Sequence, residues 1–151
     1  MDYAIIAAGE GSRLVEEGVT TPKPLVRLLG EPMIDRLMGL FLRHGATSIS
    51  VIVNEEMTDV QHHMEQLALP VPLNLVVRST PSSMHSFHAL RPFLTSNTCC
   101  LTTVDTVFRE EPFAAYIDAF ERSPLLDGMM AVTAYVDDEA PLYVRTDSAG
   151  M

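Results

Sequence analysis

The chain has 151 residues, 20 acidic against 10 basic side chains for a net charge of −10, and a hydrophobic share of 47%. That length predicts one domain with a real core. The acidic balance argues against a nucleic-acid partner, while a phosphate-bearing small molecule needs only a few local donors. No run approaches the roughly 20 apolar residues that cross a bilayer, and the N-terminus lacks the basic, apolar and cleavage regions of a secretory signal. The expectation is a soluble, cytoplasmic protein that engages no membrane.

In chain order, residues 3–8 are a short apolar run ending at Gly9 and predict a buried strand. Residues 9–21 predict a loop. A helix follows over 32–43: Pro32 suits a first turn, Ile34, Leu37, Met38 and Phe41 make an apolar stripe, and Gly45 is a natural stop. Residues 49–53 carry β-branched side chains and predict a second strand. Thr58 or Asp59 would cap a helix to 67, with Val60, Met64 and Leu67 inward. Residues 73–77 predict a third strand. Thr80-Pro81-Ser82-Ser83 reads as a helix start, with Met84, Phe87, Leu90 and Leu94 on one side. Residues 98–104 predict a fourth strand, and Glu110-Glu111-Pro112 opens a helix over 113–120, since acids suit the positive end of a helix. Two further strands are expected at 129–136 and 142–145.

This alternation predicts a three-layer, Rossmann-like α/β fold, a mostly parallel sheet with helices on both faces. One domain covers 1–151, without repeats or a linker. The end of the chain, a strand and a turn with no closing helix, reads as the N-terminal part of a longer protein. Cys99 and Cys100 are adjacent, so on a strand they point to opposite faces and neither pair nor share a metal. They are expected to be reduced and buried.

In open α/β sheets ligands sit beyond the C-terminal ends of the strands. The first such end is Ala7-Ala8-Gly9-Glu10-Gly11-Ser12-Arg13. Gly9 and Gly11 let backbone N–H groups come close to phosphate oxygens, and Arg13 adds a planar fork of donors. The Walker loop is excluded because no Gly-Lys-Ser/Thr follows. The dinucleotide fingerprint fails at Leu14, where it requires a third glycine. Downstream stands Lys23, the only lysine in the chain, held between Pro22 and Pro24. Five of the ten basic residues, Arg13, Lys23, Arg27, Arg36 and Arg43, fall in this N-terminal portion.

Gly9-Glu10-Gly11-Ser12-Arg13-Leu14, then Pro22-Lys23-Pro24-Leu25, then Leu28-Leu29-Gly30-Glu31-Pro32-Met33-Ile34 resemble, in order and spacing, the nucleotidyltransferases that make nucleotide-sugars and related activated alcohols. The resemblance is close over the first third of the chain and topological beyond it. It implies transfer of a nucleoside monophosphate from an NTP to a phosphorylated small-molecule acceptor, a sugar 1-phosphate or phosphocholine, with release of pyrophosphate. Arg13 and Lys23 would be the catalytic cations on the triphosphate. Ala8, Gly9, Gly11 and Ser12 would hold the nucleotide.

Asp105 ends the fourth strand, where an acid facing phosphates needs a cation between them. The resemblance makes it the ligand of Mg²⁺, which accepts one or two carboxylates plus phosphate oxygens. Val104 replaces the glycine that usually precedes this aspartate, a departure that bears on how closely a sugar approaches. Thr80, Ser82 and Ser83 stand where the family touches base and ribose, but without its Gly-Thr-Ala; they serve the nucleotide or cap a helix. The family's second metal-binding aspartate and its lysine for the sugar phosphate have no assigned counterpart. A non-catalytic nucleotide sensor with the same fold is therefore the rival expectation, and a homo-oligomer is left open. Solvated roles remain for Lys23 and for Arg13 beside Glu16 or Glu17, and a turn role for Asp105.

Overall fold

The computed structural model describes residues 1–9, 18–134 and 143–145. Four strands, β1 (Asp2–Ile6), β4 (Ser48–Val53), β5 (Leu73–Val77) and β6 (Cys99–Thr103), form one sheet in the order β5-β4-β1-β6. All pairs are parallel. Asp2 faces Ser48 on one side and Cys99 on the other, and Ile49 faces Leu73. The chain thus leaves β1 toward β4 and β5, then crosses back to lay β6 on the other flank of β1. Such a reversal is where open α/β sheets form a crevice for ligands, which here would lie above the C-terminal ends of β1 and β6.

Four helices join the strands: α1 (Met33–Arg43), α2 (Thr58–Glu65), α3 (Ser83–Leu90) and α4 (Glu110–Glu121). Alternation along β1 splits the core in two. Tyr3 stacks on Phe41 of α1 with ring centroids 4.3 Å apart, and Phe113 at the start of α4 joins them at 5.9 Å from Phe41. On the other face Ala4, Ile6 and Ile52 pack with Leu90 of α3, and Ala8, Val76 and Phe87 close around them. Helices therefore cover both faces, as a parallel sheet requires. The α1 stripe of Ile34, Leu37, Met38 and Phe41 is buried as its spacing predicts, each side chain stabilising the fold by about 1.5–3 kcal/mol. His63 Nε2 of α2 lies 2.7 Å from Asp35 Oδ1 of α1 and links the two helices.

At the N-terminal rim of the sheet Asp2 is buried and takes five hydrogen bonds. Thr47 and Ser48 donate hydroxyls at 2.7 and 2.8 Å. Thr95 and Ser96 donate backbone N–H groups at 2.8 and 2.7 Å, and Ser96 adds its hydroxyl at 2.8 Å. Burial alone would raise this carboxyl, but the bonds from Ser96, Thr47 and Ser48 outweigh it and hold Asp2 far below the usual carboxylate range. The knot ties the start of β1 to the segments that enter β4 and β6.

The chain forms two compact units, Met1–Ala114, which holds the sheet, and Ala115–Met151. In the second unit Tyr116 donates its hydroxyl to the Met129 carbonyl at 2.5 Å, and Arg122 pairs with Asp118 one turn away.

Several expectations are corrected. Residues 129–134 and 143–145 are not strands; the rest of those two segments lies outside the described residues. A β-branched run becomes a strand only against a ladder partner, and here the Met129 carbonyl is taken by a side chain. The α2 helix ends at Glu65 rather than 67. Met84 is exposed, because the buried line of α3 runs through Ser86 and Leu90. Cys99 is exposed and Cys100 half-buried, since β6 pairs only with β1 among the described residues. A small hairpin of β2 (Arg27–Leu28) and β3 (Glu31–Pro32) was not foreseen. Its two-residue turn holds Leu29 at φ 52° and Gly30 at φ 89°, the doubly left-handed form suited to strand twist.

Candidate active site at the strand termini

Pro22 and Pro24 flank Lys23 in a single 3₁₀ turn, Lys23–Leu25. Both rings fix φ, Pro24 is buried, and Leu25 N donates to Pro22 O at 2.8 Å while Val26 N returns to Lys23 O at 3.2 Å. The backbone that carries the ammonium is thus set before any ligand arrives. β3 then runs into α1, with Met33 N donating to Val26 O at 2.9 Å.

Across 82 residues of sequence, Lys23 Nζ donates to Asp105 Oδ2 at 2.7 Å. Asp105 follows β6 because Val104, buried, continues the ladder by one bond from its N–H to Ile6 O at 3.0 Å. The chain then turns, Thr106 N to Thr103 O. Partial burial raises the Asp105 carboxyl, but hydrogen bonds from Lys23 and Thr103 and the charge of Lys23 outweigh that and leave it below its usual value. It is therefore ionised at neutral pH. The side chains are 31% and 45% exposed, so the pair is open to solvent and to exchange for a ligand. Arg36 of α1 donates to Phe108 O at 2.9 Å and braces the loop behind the carboxylate.

Ala8 and Gly9 leave β1 at the same rim, between β6 and β4. Asn54, just past β4 and buried, donates through Nδ2 to Ala8 O at 3.3 Å. Ser79, past β5, accepts from Glu55 N at 3.4 Å. The rim thus runs from Asp105 through Gly9 and Asn54 to Ser79. Thr80, Ser82 and Ser83 lie at its β5 end, three strands from β6, or about 14 Å at ordinary strand spacing. Thr80 Oγ1 sits 2.6 Å from Ser86 Oγ, and Ser82 Oγ lies 2.8 Å from His85 Nδ1. Ser82 occupies the cap position of α3 without a side-chain cap bond. Ser83 is exposed at the first turn.

The expected site residues therefore divide three ways. Lys23 and Asp105 meet, with Ala8 and Gly9 on the same rim. Thr80, Ser82 and Ser83 lie along the rim without contact to that pair. Gly11, Ser12 and Arg13 lie outside the described residues. Sequence reasoning missed Asn54, Thr103 and Arg36. Asn54 had one faint signal, a lone amide directly after a β-branched strand; Arg36 stood out only as one of the five N-terminal bases, with nothing to mark its bond to Phe108 O.

No group of three or more His, Cys, Asp or Glu suited to a metal occurs among the described residues. One ionised carboxylate at the strand termini is nonetheless a donor set that suits a magnesium drawing most of its ligands from phosphates and water. Asp105 fits such an ion and no self-sufficient metal centre.

Comparison with known proteins gives a consistent family. The model of the MobA-like NTP transferase domain matches residues 3–149. The bifunctional protein GlmU of Thermodesulfovibrio yellowstonii is 27% identical over 127 residues, which cover 83% of this chain and 26% of that protein. Glucose-1-phosphate cytidylyltransferase of Salmonella typhimurium is 29% identical over 85 residues, covering 47% of this chain and 33% of that one. Among solved structures, a putative glucose-1-phosphate thymidylyltransferase from Bacillus anthracis, in complex with a sucrose, superposes with a TM-score of 0.72 at 20% identity. That match covers 82% of this chain and 51% of the other. The chain thus spans between a quarter and a third of the length of these two curated relatives.

Proposed function

The chain belongs to the MobA-like NTP transferase domain family, and on that premise we propose that it moves a nucleoside monophosphate from an NTP to a phosphorylated alcohol, a sugar 1-phosphate above all, and releases pyrophosphate. The observation that carries the reading is the meeting of Lys23 and Asp105 at 2.7 Å above the β1–β6 crevice. Two residues so far apart in sequence converge where an open sheet takes ligands. The relatives named as transferases, among them the cytidylyltransferase acting at glucose 1-phosphate, support it over nucleotide sensing.

An acceptor phosphate oxygen attacks the α-phosphorus in line, and pyrophosphate departs on the opposite side. The protein supplies position and charge rather than a covalent intermediate. Lys23, its backbone preset by two prolines, offers a compact cation to the phosphates once Asp105 releases it. Arg13 adds a second cation and Gly11 and Ser12 further donors, roles that rest on the motif they share with the family. The Ala8–Gly9 turn brings bare backbone to the nucleotide, and Thr80, Ser82 and Ser83 lie along the rim toward base and ribose. Asp105 would hold Mg²⁺, which when bound neutralises charge on the phosphates.

The test is pyrophosphate release from each common nucleoside triphosphate with a panel of sugar 1-phosphates and phosphocholine, with and without Mg²⁺. Release with one pairing is expected. Tight NTP binding with no release from any pairing would overturn catalysis in favour of sensing.

A further inference from the structure

We infer that Asn54 is a positioning residue for the nucleotide: its side-chain amide pins the Ala8 carbonyl and so aims the Gly9 N–H into the crevice between β1 and β6. The inference rests on the proposed nucleotide-binding role of this rim and adds a residue to it.

The orientation of the amide follows from its partners. Asn54 Oδ1 accepts the backbone N–H groups of Glu56 at 3.0 Å and Met57 at 3.1 Å. Only an oxygen can take two N–H donors, so Nδ2 must face the other way, toward Ala8 O. The backbone of Asn54 is held as well, its carbonyl accepting from Met57 N at 3.3 Å and from Gln61 Nε2 at 3.3 Å. The residue is buried at 8% exposure. Its Oδ1, its Nδ2 and its backbone carbonyl are thus all engaged.

Its effect passes through one peptide plane. In a trans peptide the C=O of one residue and the N–H of the next point in opposite directions. β1 lies between β4 and β6. Ala8 O is drawn toward Asn54 at the end of β4, so the N–H of Gly9 is turned toward β6, where Asp105 and Lys23 meet. Among the described residues that N–H has no acceptor. A Cβ built on Gly9 would meet no heavy atom of the described residues within 4 Å, so its side-chain side is clear for a ligand to approach. A fixed donor turned toward a cation is what a phosphate oxygen binds, and it costs nothing to reorient when the ligand arrives.

Two variants separate this role from that of Asn54 Oδ1 in the turn that leads into α2. Asn54→Asp keeps the shape and the oxygen that caps Glu56 and Met57, but sets a second oxygen against Ala8 O. Asn54→Ser also keeps an oxygen for Glu56 and Met57 and adds no charge, but it loses Nδ2, and its one short hydroxyl does not span from those N–H groups to Ala8 O. Binding of ATP, CTP, GTP, UTP and dTTP with Mg²⁺ is measured by calorimetry on wild type, both variants and Lys23→Ala, and the Gly9 amide is followed by NMR. The expected result is at least a fivefold loss of affinity in both variants, melting within a few degrees of wild type, and a Gly9 amide shift on nucleotide addition that only wild type shows. Asn54→Asp decides if Asn54→Ser fails to fold. Variants that bind within twofold of wild type, with the Gly9 shift intact, while Lys23→Ala weakens binding, would overturn the role of Asn54 and leave the nucleotide reading standing. Failure of wild type to bind any of the five would overturn both.

Discussion

Replacing Lys23 with alanine should separate stability from activity. The ion pair it breaks is 31% and 45% exposed, and pairs so open contribute about 0–1 kcal/mol once solvent screening and side-chain entropy are counted. The 3₁₀ turn survives, because the prolines and backbone bonds that hold it do not involve the ammonium. The folded protein should therefore lose less than about 1 kcal/mol. If Lys23 stabilises charge that develops on the phosphates, its loss removes about 2–4 kcal/mol of transition-state stabilisation, or about 30- to 900-fold in rate. Urea unfolding and continuous pyrophosphate release, measured on the same preparations, give both quantities. Lys23→Arg serves as the control: it can restore the pair with Asp105 but offers a wider, planar cation to the phosphates. A variant with turnover within threefold of wild type and a stability loss above 2 kcal/mol would show Lys23 to be a strut between its turn and β6, and the catalytic reasoning would fail.

Asp2→Asn keeps the side-chain shape but removes the charge that holds five donors, and should cost about 2–4 kcal/mol at neutral pH in a urea titration. The folded carboxyl is depressed, so its contribution is full above the unfolded value near 4 and is lost as pH falls toward the folded one; the wild-type advantage should shrink steadily below pH 4. An advantage equal at pH 7 and pH 3 would contradict the assignment. Gly9→Ala should fold with stability within about 0.5 kcal/mol, since the methyl group meets nothing within 4 Å, yet calorimetry should show weakened nucleotide binding where that methyl enters the ligand's space. Burial raises both thiols, Cys100 to about 11, with the Asp2 carboxylate adding to the effect at Cys99. Iodoacetamide at pH 7.5 should therefore label the folded protein more slowly than the urea-unfolded chain, followed by mass spectrometry.

Much of the fold was legible because its signals are local. The strands read as short apolar or β-branched runs and α1 as a stripe at helical spacing, and each appears within a residue or two of its predicted bounds. The β2–β3 hairpin was not legible, because Leu29 occupies a left-handed position where asparagine or glycine is the usual cue. Residues 129–134 show the opposite failure: strand-like side chains with no paired strand among the described residues. In the site, Lys23 and Asp105 were singled out from motifs, whereas their contact depends on the order β1-β6, which no local spacing encodes. Asn54 escaped for a related reason. Its partners Ala8, Glu56 and Met57 come from two segments, and one amide carries no period.

An ion pair closed on itself displays neither of its charges. With ammonium and carboxylate 2.7 Å apart, this pair offers little net charge to a stray phosphate, which meets a cation already occupied, or to a stray metal ion, which meets an anion already occupied. A visitor bearing one sign must strand the other half of the pair. A visitor that brings both signs together, a polyphosphate with its own metal, can relieve both at once. If this rim is where the nucleotide docks, the pair favours the preassembled complex over either component arriving alone.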